Sequence, residues 1–366
     1  MEALEGADPR RAVSRALGDP PVARALAGAR RVGVFACGKA AAAMVRALPG
    51  KLRREALVVL PRGYPAKGLS SAEVLFASHP EPDASSVVAA RRALDYFSGF
   101  GPDEAVLCLV SGGTSSLVAM PRPGVTLEAK RRAVRRLMRS GASILEINRL
   151  RASLSAVKDG KLGEASGARL VTLVLSDVPG DDPALVGSGP TVRRRRGDVV
   201  SVVGSNRTGL EAAAREARRM GLTARLDRRR LSGEAFSEGE RFARAAARLR
   251  PGGALLAGGE TTVTMRTVRG RGGRNLEFAL GTAMGLKGSD GVVVLAAGSD
   301  GIDGSSKAAG AFADGETLAR ATRLGLDPAR SLARHDTEPF FRRLGDLFVT
   351  GPTGTNVCDW VFAVRW

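Results

Sequence analysis

Short apolar runs recur along this 366-residue chain, and six of them are followed directly by glycine and polar side chains. Such runs are typical of buried strands in parallel sheets. Ligands of open α/β sheets bind beyond the carboxyl ends of the strands. One polar end would be ordinary turn chemistry, but six indicate a polar site. The six ends are Cys37-Gly38-Lys39, Ser111–Ser116, Ser176–Asp182, Gly258–Thr261, Gly298–Gly304 and Thr350–Asn356.

Stretches with helical periodicity, such as residues 126–146, separate the apolar runs. Alternation of strand and helix predicts an α/β fold with mainly parallel sheets. The turn-forming sequence Pro251-Gly252-Gly253 predicts a domain boundary. It would divide the chain into residues 1–250 and residues 251–366.

The chain is strongly basic, with 56 Lys and Arg residues, 37 Asp and Glu residues and a formal net charge of +19. A basic surface is compatible with nucleic-acid binding. However, the arginine runs at 193–196 and 228–230 have no neighbouring aromatic side chains on which bases could stack. We interpret them as a solvated surface that attracts small polyanions such as nucleotides. We therefore predict no specific nucleic-acid partner.

Histidine and cysteine are too sparse for several kinds of catalytic site. The chain has two histidines, His79 and His335, which leaves little for histidine zinc sites or a Ser-His-Asp triad. Cys37, Cys108 and Cys358 are far apart, as is typical of reduced core residues. No apolar run approaches the length of a membrane span, and the opening MEALEGADPRR lacks a signal-peptide core. These features predict a cytoplasmic protein with no membrane partner.

The stretch GVFACGKA, residues 33–40, nearly matches the P-loop pattern Gly-x-x-x-x-Gly-Lys-Ser/Thr. Its four middle residues are apolar and predict a strand, whereas a P-loop wraps the phosphates with a loop. Ala40 also lacks the hydroxyl that would hold Mg²⁺. What remains is Lys39 in the first turn of a predicted helix, where a cation opposes the helix dipole. An anionic ligand would account for a lysine at that position.

The segment Ser111–Ser116, SGGTSS, has the composition of a phosphate-binding loop. Gly112 and Gly113 would let backbone amides approach an oxyanion at the start of a helix. A glycine turn before a helix also occurs without any ligand. The basic segment from Asn148 to Lys161 is typical of a solvated helix face.

Acidic groups follow two further predicted strands, at residues 177–182 and 300–303. Carboxylates without histidine suit Mg²⁺, and they equally suit turn capping. Arg274, at the predicted start of a helix, suits a carboxylate or a phosphate. Phosphoryl transfer depends on charge neutralisation and positioning, so these groups together with Lys39 predict a phosphotransferase. They do not identify its substrate.

The chain also contains nine longer motifs, which are, in order, GKAAAAM, SHPEPD, LVSGGTSSL, SGASILEIN, LSDVPGDDPALVGSGPT, GGETTVT, GRGGRNLEFAL, GSDGIDGSSKAAGA and TGPTGTNVCD. In this order they closely resemble the motifs of the type II glycerate kinases, the glycerate 2-kinase family with a C-terminal MOFRL domain. The resemblance extends from about Gly33 to Asp359, which is nearly the whole chain.

This resemblance implies an N-terminal Rossmann-like domain with a parallel sheet and a smaller C-terminal α/β MOFRL domain. It places the active site in the cleft between the two domains. It also implies phosphorylation of D-glycerate by ATP with Mg²⁺, usually giving 2-phosphoglycerate. A monomer or homodimer is expected.

The resemblance also implies roles for individual residues. Lys39 matches the lysine of the family's Gly-Lys-Ala motif, Arg274 the arginine of Gly-Gly-Arg-Asn, and Asp177 the acid of Ser-Asp-Val-Pro-Gly. These three are the implied catalytic residues, and Asp177 and Asp300 are the implied Mg²⁺ ligands. The implied substrate- and nucleotide-binding residues are Ser111, Gly112, Gly113, Thr114, Ser115, Glu260, Asn275, Asp300 and Asn356.

Three departures from the family pattern concern this site. The family pattern is Arg-Lys-His-Leu-Ser-x-x-Lys-Gly-Gly. Here Arg151–Ser155 lacks its Lys and His, and Asp159 replaces a Gly. Leu276 replaces a Gln after Gly-Gly-Arg-Asn. The connection from Thr191 to Val199 is shorter than in relatives, which carry helices there.

Two other activities stay open at this point. One is a kinase that acts on the 3-hydroxyl or on another small hydroxy acid. The other is hydroxypyruvate reductase, a label that some relatives carry. A reductase of this kind would need the dinucleotide fingerprint Gly-x-Gly-x-x-Gly after the first strand, whereas Gly33 and Gly38 are five residues apart.

Overall fold

The computed structural model describes residues 1–140, 144–193, 195–265 and 270–366. These residues form two compact units. The N-terminal unit comprises residues 8–205, and the C-terminal unit comprises residues 206–366 together with residues 1–7. Among the residues that the structure describes, every helix is too short or too polar to span a membrane.

In chain order, the strands of the described residues are β1 (Val32–Cys37), β2 (Ala56–Pro61), β3 (Glu73–Ala77), β4 (Ala105–Val110), β5 (Arg169–Leu175), β6 (Val199–Gly204), β7 (Thr223–Leu226), β8 (Gly253–Gly259), β9 (Val292–Gly298), β10 (Gly310–Asp314), β11 (Leu347–Phe348) and β12 (Asp359–Arg365).

The helices of the described residues are α1 (Glu2–Gly6), α2 (Pro9–Leu17), α3 (Pro20–Ala27), α4 (Ala41–Arg46), α5 (Gly50–Arg54), α6 (Ala84–Ser98), α7 (Thr114–Leu117), α8 (Leu127–Arg139), α9 (Ile144–Ser153), α10 (Lys161–Glu164), α11 (Asn206–Arg219), α12 (Ala235–Ala246), α13 (Arg274–Gly285), α14 (Thr317–Arg323), α15 (Pro328–Ala333) and α16 (Thr337–Leu344). Two short 3₁₀ helices span Pro179–Asp181 and Val186–Ser188.

The sheet of the N-terminal unit is parallel throughout, with strand order β3-β2-β1-β4-β5-β6. This is the order of doubly wound Rossmann sheets, so the prediction of a Rossmann-like N-terminal domain is confirmed. The order reverses between β1 and β4, where Cys37 lies opposite Val110. Ligands of such sheets bind beyond the carboxyl ends of the strands at this reversal. Here those ends carry Lys39 and the loop Ser111–Ser116.

The apolar strands explain why this sheet lies at the centre of its unit. All six residues of β4, AVLCLV, are buried, and a strand that is apolar on both faces needs a packed layer on each side. Phe35 of β1 and Phe97 of α6 pack edge to face, with ring centroids 5.3 Å apart. The three cysteines are buried and form no disulfide, in agreement with the sequence prediction of core residues.

The sheet of the C-terminal unit is mixed, with strand order β11-β10-β9-β12-β8-β7. β7 and β8 run parallel, and the other paired neighbours of this sheet are antiparallel. β12 lies between β8 and β9 and runs in the direction opposite to both. The prediction of mainly parallel sheets is therefore right for the first sheet and wrong for the second. An apolar run indicates that a strand is buried but carries no information about its direction.

The compact units divide at residues 205/206, whereas the sequence places the domain boundary at 250/251. The difference arises because β7 pairs with β8 at the edge of the C-terminal sheet and α11 packs against both strands. The Gly252-Gly253 turn leads into β8, so it lies inside this unit. Residues 1–7 belong to the same unit, where Thr355 Oγ1 donates to the carbonyl oxygen of Ala7 at 2.8 Å.

The predicted helical stretch 126–146 and the arginine run 193–196 differ from the sequence predictions. The stretch 126–146 contains two helices, α8 and α9, and residues 141–143 of the motif SGASILEIN lie outside the described residues. Arg193 belongs to an arginine run that the sequence predicts to be solvated, but its side chain is buried. Its Nε lies 2.6 Å from Asp198 Oδ2, so a buried ion pair fixes this arginine. Arg194 lies outside the described residues.

Candidate functional site

The Gly-Lys pair after β1 and the Ser-Gly-Gly loop after β4 are hydrogen-bonded to each other. Lys39 N donates to the carbonyl oxygen of Gly112 at 2.9 Å. Ala40 N donates to Ser111 Oγ at 3.1 Å. Gly38 has φ +122°, and a Cβ on it would lie 2.2 Å from Ser111 Oγ, so this position requires glycine. The two predicted loops therefore form one structural element at the topological switch point.

Lys39 and His79 both lie against Gly113. A Cβ built on Gly113, which has φ +90°, would be 3.4 Å from Lys39 Cγ and 3.2 Å from His79 Cδ2. Burial lowers the pKa of His79, and the positive charge of Lys39 lowers it further. The imidazole is therefore neutral at neutral pH, which leaves Lys39 as the positive charge of this group. Sequence analysis did not assign His79, although it lies in the motif SHPEPD.

The hydroxyls of the Ser-Gly-Gly loop have different surroundings. Thr114 Oγ1 lies 2.8 Å from the carbonyl oxygens of both Cys37 and Ser111, and Ser111 Oγ accepts from Ala40 N. These two side chains hold the loop in shape. Ser115 Oγ instead accepts a hydrogen bond from Lys158 Nζ. The assignment of these residues to ligand binding stays a prediction.

Lys158 is buried beside the Ser-Gly-Gly loop, with 3% of its surface exposed. Its Nζ contacts Ser115 Oγ and lies 3.5 Å from Ser188 Oγ. Asp159 N and Gly160 N donate to the carbonyl oxygens of residues 188 and 189 at 2.9 and 2.8 Å. Asp159 has φ +57°, a conformation that aspartate tolerates better than most residues. This explains how Asp can replace the family's Gly there.

Lys158 was missed because the sequence predicts a solvated face for the segment Asn148–Lys161. In the structure Lys158 lies between Val157, which is fully buried, and a tight turn. One sequence signal could have found it. The chain's Lys-Asp-Gly keeps the lysine of the family's Lys-Gly-Gly even though the flanking residues change.

In the C-terminal unit, Arg274 is the first residue of α13 and is held by two carboxylates. Its Nε and Nη2 donate to the two oxygens of Asp359 at 2.5 and 3.0 Å. Its Nη1 lies 3.0 Å from Glu260 Oε1. Burial lowers the pKa of Arg274, but the hydrogen bonds and charge of Asp359 outweigh burial and raise it overall. The guanidinium is therefore permanently charged and fixed in orientation.

Asp303 and Asn275 support this arginine from the N-terminus of α13. Asp303 accepts from the backbone N of Asn275 at 3.0 Å and of Leu276 at 2.8 Å. Asn275 Nδ2 donates to Asp303 Oδ1 at 3.2 Å and to Asp359 Oδ1 at 3.1 Å. Burial raises the pKa of Asp303 to about 7, although the backbone N–H groups oppose that change. Asn275 thus links two buried carboxylates.

The residue types around α13 follow from this packing. A Cβ on Gly273 would lie 2.5 Å from Asp303 Oδ1, so the second glycine of Gly-Gly-Arg-Asn leaves room for that carboxylate. Leu276, which replaces the family's Gln, is fully buried in the core of the C-terminal unit. That departure from the family pattern changes the core and not the cavity lining.

Arg274 faces a cavity of about 600 Å³ in the C-terminal unit. Glu260, Glu277 and His335 also line it, and His335 Nδ1 lies 2.8 Å from Glu277 Oε1. Burial raises the pKa of Glu277, and His335 partly opposes this. The cavity therefore combines a fixed arginine, the half-exposed carboxylate of Glu260 and a histidine that sequence analysis did not assign.

The predicted Mg²⁺ ligands lie in different units, Asp177 after β5 in one and Asp300 after β9 in the other. Asp300 Oδ1 accepts from Ile302 N at 3.2 Å, which closes its own turn. No three His, Cys, Asp or Glu side chains of the described ranges are grouped to hold a metal ion. Mg²⁺ in nucleotide sites commonly uses one or two carboxylates together with phosphate oxygens, so single carboxylates fit such an ion. Asn356, half-buried in the loop before β12, stays a predicted binding residue.

Comparison with known proteins gives matches over nearly the whole chain. Residues 1–219 match DUF4147, a domain of unknown function, and residues 253–359 match the MOFRL family. A protein of Agrobacterium vitis that carries the provisional name hydroxypyruvate reductase is 38% identical, covering 98% of this chain and 91% of its own. The glycerate 2-kinase of Pyrococcus horikoshii is 33% identical, covering 99% of this chain and 95% of its own.

Among solved structures, a crystal structure of a glycerate kinase from Thermotoga maritima matches with a TM-score of 0.89 and 32% identity. The match covers 100% of this chain and 97% of the other. The family match and the near full-length relatives agree with the family that the sequence motifs indicate. The chain therefore belongs to the glycerate kinase family that combines a DUF4147 domain with a MOFRL domain.

Proposed function

We propose that this enzyme phosphorylates D-glycerate on its 2-hydroxyl with ATP and Mg²⁺, giving 2-phosphoglycerate. The observation that carries the proposal is Arg274, whose guanidinium is fixed by Asp359 and lines a cavity large enough for a small hydroxy acid. The charged guanidinium N–H groups of an arginine make strong, charge-assisted hydrogen bonds to a carboxylate. The names of the glycerate 2-kinase relatives support the same reaction.

Arg274 has a defined part in this proposal. Asp359 occupies Nε and Nη2, so Nη1 is the group that reaches Glu260 and the cavity. A glycerate carboxylate would bind at Nη1 and compete with Glu260 for it. Glu260 is released by that exchange and would accept the proton of the 2-hydroxyl. The hydroxyl oxygen bonds to the γ-phosphorus of ATP while the bond from that phosphorus to the bridging oxygen breaks, and ADP leaves.

Lys39 supplies positive charge in the N-terminal unit. It follows β1 at the switch point, beside Gly113 and the neutral His79. A cation in this position neutralises the phosphoryl group during transfer, which is the main catalytic requirement of this reaction class. Mg²⁺, held by Asp177 or Asp300, would neutralise the nucleotide phosphates.

The test is a coupled assay with D-glycerate, ATP and Mg²⁺, in which the product feeds enolase without phosphoglycerate mutase. We expect a signal without mutase, because enolase accepts 2-phosphoglycerate. A signal that appears only when mutase is added would assign the 3-hydroxyl as the acceptor. No signal in either case, from folded protein, would contradict the proposal for D-glycerate.

Hydroxypyruvate reductase is the second candidate, and the name of the Agrobacterium vitis relative is the observation in its favour. Gly33 weighs against it, because it lies inside β1 and a Cβ there would be 2.2 Å from Phe100 Cζ. That glycine serves packing against an aromatic ring and does not belong to a dinucleotide loop. NADH oxidation with hydroxypyruvate as substrate would decide in favour of the reductase.

A further inference from the structure

A second cavity, of about 510 Å³, lies within the N-terminal unit between α7, α8 and α9. We call it the lysine pocket, after Lys130 of α8 and Lys158. The residues of its lining that matter here are Ser115, Leu127, Lys130, Val134, Arg151 and Lys158. Neither Lys130 nor Arg151 has a part in the function proposed above.

The positive charges of this pocket are buried without a balancing carboxylate. Lys130 is 5% exposed and Lys158 is 3% exposed. Lys130 Nζ has no hydrogen-bond partner among the described residues. Glu81, the acid on the pocket's rim, pairs instead with Arg131 and with Arg135, at 3.7 Å from the latter. Within the described part of the chain, no ion pair includes either lysine.

Burial of unpaired charge is unfavourable, and the ionisation of the pocket reflects this. Burial lowers the pKa of Lys158 well below its usual value, and the charges of Lys130 and Arg151 lower it further. Burial lowers the pKa of Lys130 to about 8, with contributions from Lys161 and Arg151. The folded chain thus gathers cations at a cost in stability that an anionic ligand would offset.

The donors of the pocket indicate which anion fits. The pocket holds the amino groups of Lys130 and Lys158 and the guanidinium of Arg151. The hydroxyls of Ser115 and Ser188 contact Lys158 Nζ. A carboxylate offers two coplanar oxygens and one charge. A phosphate offers three oxygens in a tetrahedral arrangement and up to two charges, which suits three basic side chains that approach from different elements.

We propose that the lysine pocket is a phosphate-binding site that takes the phosphate group of a nucleotide or of a small phosphorylated acid. Lys130 and Arg151 contact the phosphate oxygens, and Lys158 places Ser115 and Ser188 around them. The apolar side chains of Leu127 and Val134 contact whatever the phosphate is attached to. The proposal rests on the proposed kinase function, because Gly113 and Ser115 of the Ser-Gly-Gly loop also line this pocket. It holds for either hydroxyl as the acceptor.

The experiment is calorimetric titration of the full chain with inorganic pyrophosphate at pH 7. Lys130→Met should weaken binding roughly 10- to 100-fold, because one charge-assisted contact is lost. Lys158→Met should have an effect of the same order. Arg136→Met is the matched control, since it removes one charge from an exposed side chain of the same helix. It should change affinity less than about threefold, as expected for a screened surface charge.

Equal affinity in Lys130→Met and Arg136→Met would overturn the proposal, as would unmeasurable binding to the unaltered chain. The thermal midpoint without ligand guards against misfolding, because Lys130→Met replaces an unpaired amine and should not lower it. If Lys130→Met misfolds, the affinity of Lys158→Met for pyrophosphate tests the proposal independently.

Competition separates the two sources of phosphate. ADP should displace pyrophosphate if the pocket takes a nucleotide, and 2-phosphoglycerate should displace it if the pocket takes a phosphorylated acid. Displacement by neither would mean that pyrophosphate is an adventitious ion only, and the proposal would fail. Kinase activity of the same preparation is read separately, so loss of that activity with pyrophosphate binding intact contradicts only the proposed function.

Discussion

The two cavities contrast in how their positive charges are balanced. In the C-terminal unit, Arg274 has Asp359 and Glu260 within 3.0 Å. In the lysine pocket, Lys130 and Lys158 have no carboxylate partner within the described ranges. The arginine is therefore part of the folded framework and needs no ligand to be stable. The lysines are the opposite case, because they become balanced when an anion binds.

This contrast teaches that removal of a cation should have opposite effects on stability at the two places. Breaking a balanced buried pair leaves a buried carboxylate uncompensated. Removing an unbalanced buried ammonium takes away a desolvation cost. Activity and stability therefore need to be measured separately for each variant.

The largest expected effect concerns catalysis in the N-terminal unit. Lys39→Ala should reduce kcat roughly 100- to 1,000-fold, since it removes a charge that stabilises the transferring phosphoryl group. The thermal midpoint should stay unchanged, because the backbone of residue 39 makes the hydrogen bond to Gly112. The enolase-coupled assay measures the rate, and Lys51→Ala, an exposed lysine of the same unit, is the control. Full activity in Lys39→Ala would exclude this role.

The second largest expected effect is the loss of stability when Arg274, whose charge is balanced by Asp359 and Glu260, is replaced. Arg274→Met should destabilise the C-terminal unit by about 3 kcal/mol, because Asp359 is left as an unpaired buried carboxylate. Both tryptophans, Trp360 and Trp366, lie in this unit, so urea unfolding followed by tryptophan fluorescence reports on it selectively. The double variant Arg274→Met with Asp359→Asn should recover much of the loss. A double variant no more stable than Arg274→Met alone would argue against charge balance.

A third prediction concerns the space that Gly273 leaves for Asp303 at the start of α13. Gly273→Ala should cost about 1–3 kcal/mol, because its Cβ would lie 2.5 Å from the Asp303 oxygen that accepts from α13. Gly28→Ala is the matched control, since nothing lies within 4 Å of a Cβ there. Urea unfolding followed by far-UV circular dichroism, which reports on both units, measures the difference. Equal midpoints for the two variants would mean that Asp303 can move away without loss.

The smallest expected effect is a gain in stability, where the two preceding variants lose stability. Lys130→Met should stabilise the ligand-free protein by about 1 kcal/mol at pH 7, in contrast to Arg274→Met. The pKa of Lys130 is lowered to about 8 in the folded protein, by burial and by Lys161 and Arg151, and stands near its usual 10.5 when the chain unfolds. Between these values the unfolded state binds more protons, so the stability of the unaltered chain rises with pH.

The advantage of Lys130→Met should therefore shrink as pH rises from about 8 towards 10.5. Differential scanning calorimetry across that range measures it, with Arg136→Met as the reference. An advantage that is constant with pH would mean that the charge of Lys130 is not its source.

Local sequence was sufficient where a feature depends on neighbours in the chain. The apolar runs predict β1 and β4, and their ends predict the loops that carry Lys39 and the Ser-Gly-Gly segment. The helix start at Arg274 is predicted for the same reason. Each of these depends on strand or helix periodicity and on glycine within a few residues.

Features that depend on distant pairing were not predicted. The partner of Arg274 is Asp359, which lies 85 residues away. Lys130 has the same local pattern as its exposed arginine neighbours in α8, and only the packing of α9 and the turn at Lys158 buries it. The pairing of β7 with β8 likewise places residues 206–250 in the same compact unit as β8. Burial and partnership are tertiary properties, so a periodic pattern of one helix cannot show them.

The membership of residues 1–7 in the C-terminal unit has a consequence for synthesis on the ribosome. Helix α1 packs against α11, and Ala7 bonds to Thr355. At the usual 5–20 residues per second, about 200 residues and roughly 10–40 s separate the synthesis of α1 from that of α11. The N-terminal unit, residues 8–205, is complete within that interval. We expect this unit to fold first, whereas α1 cannot pack until α11 has been synthesised.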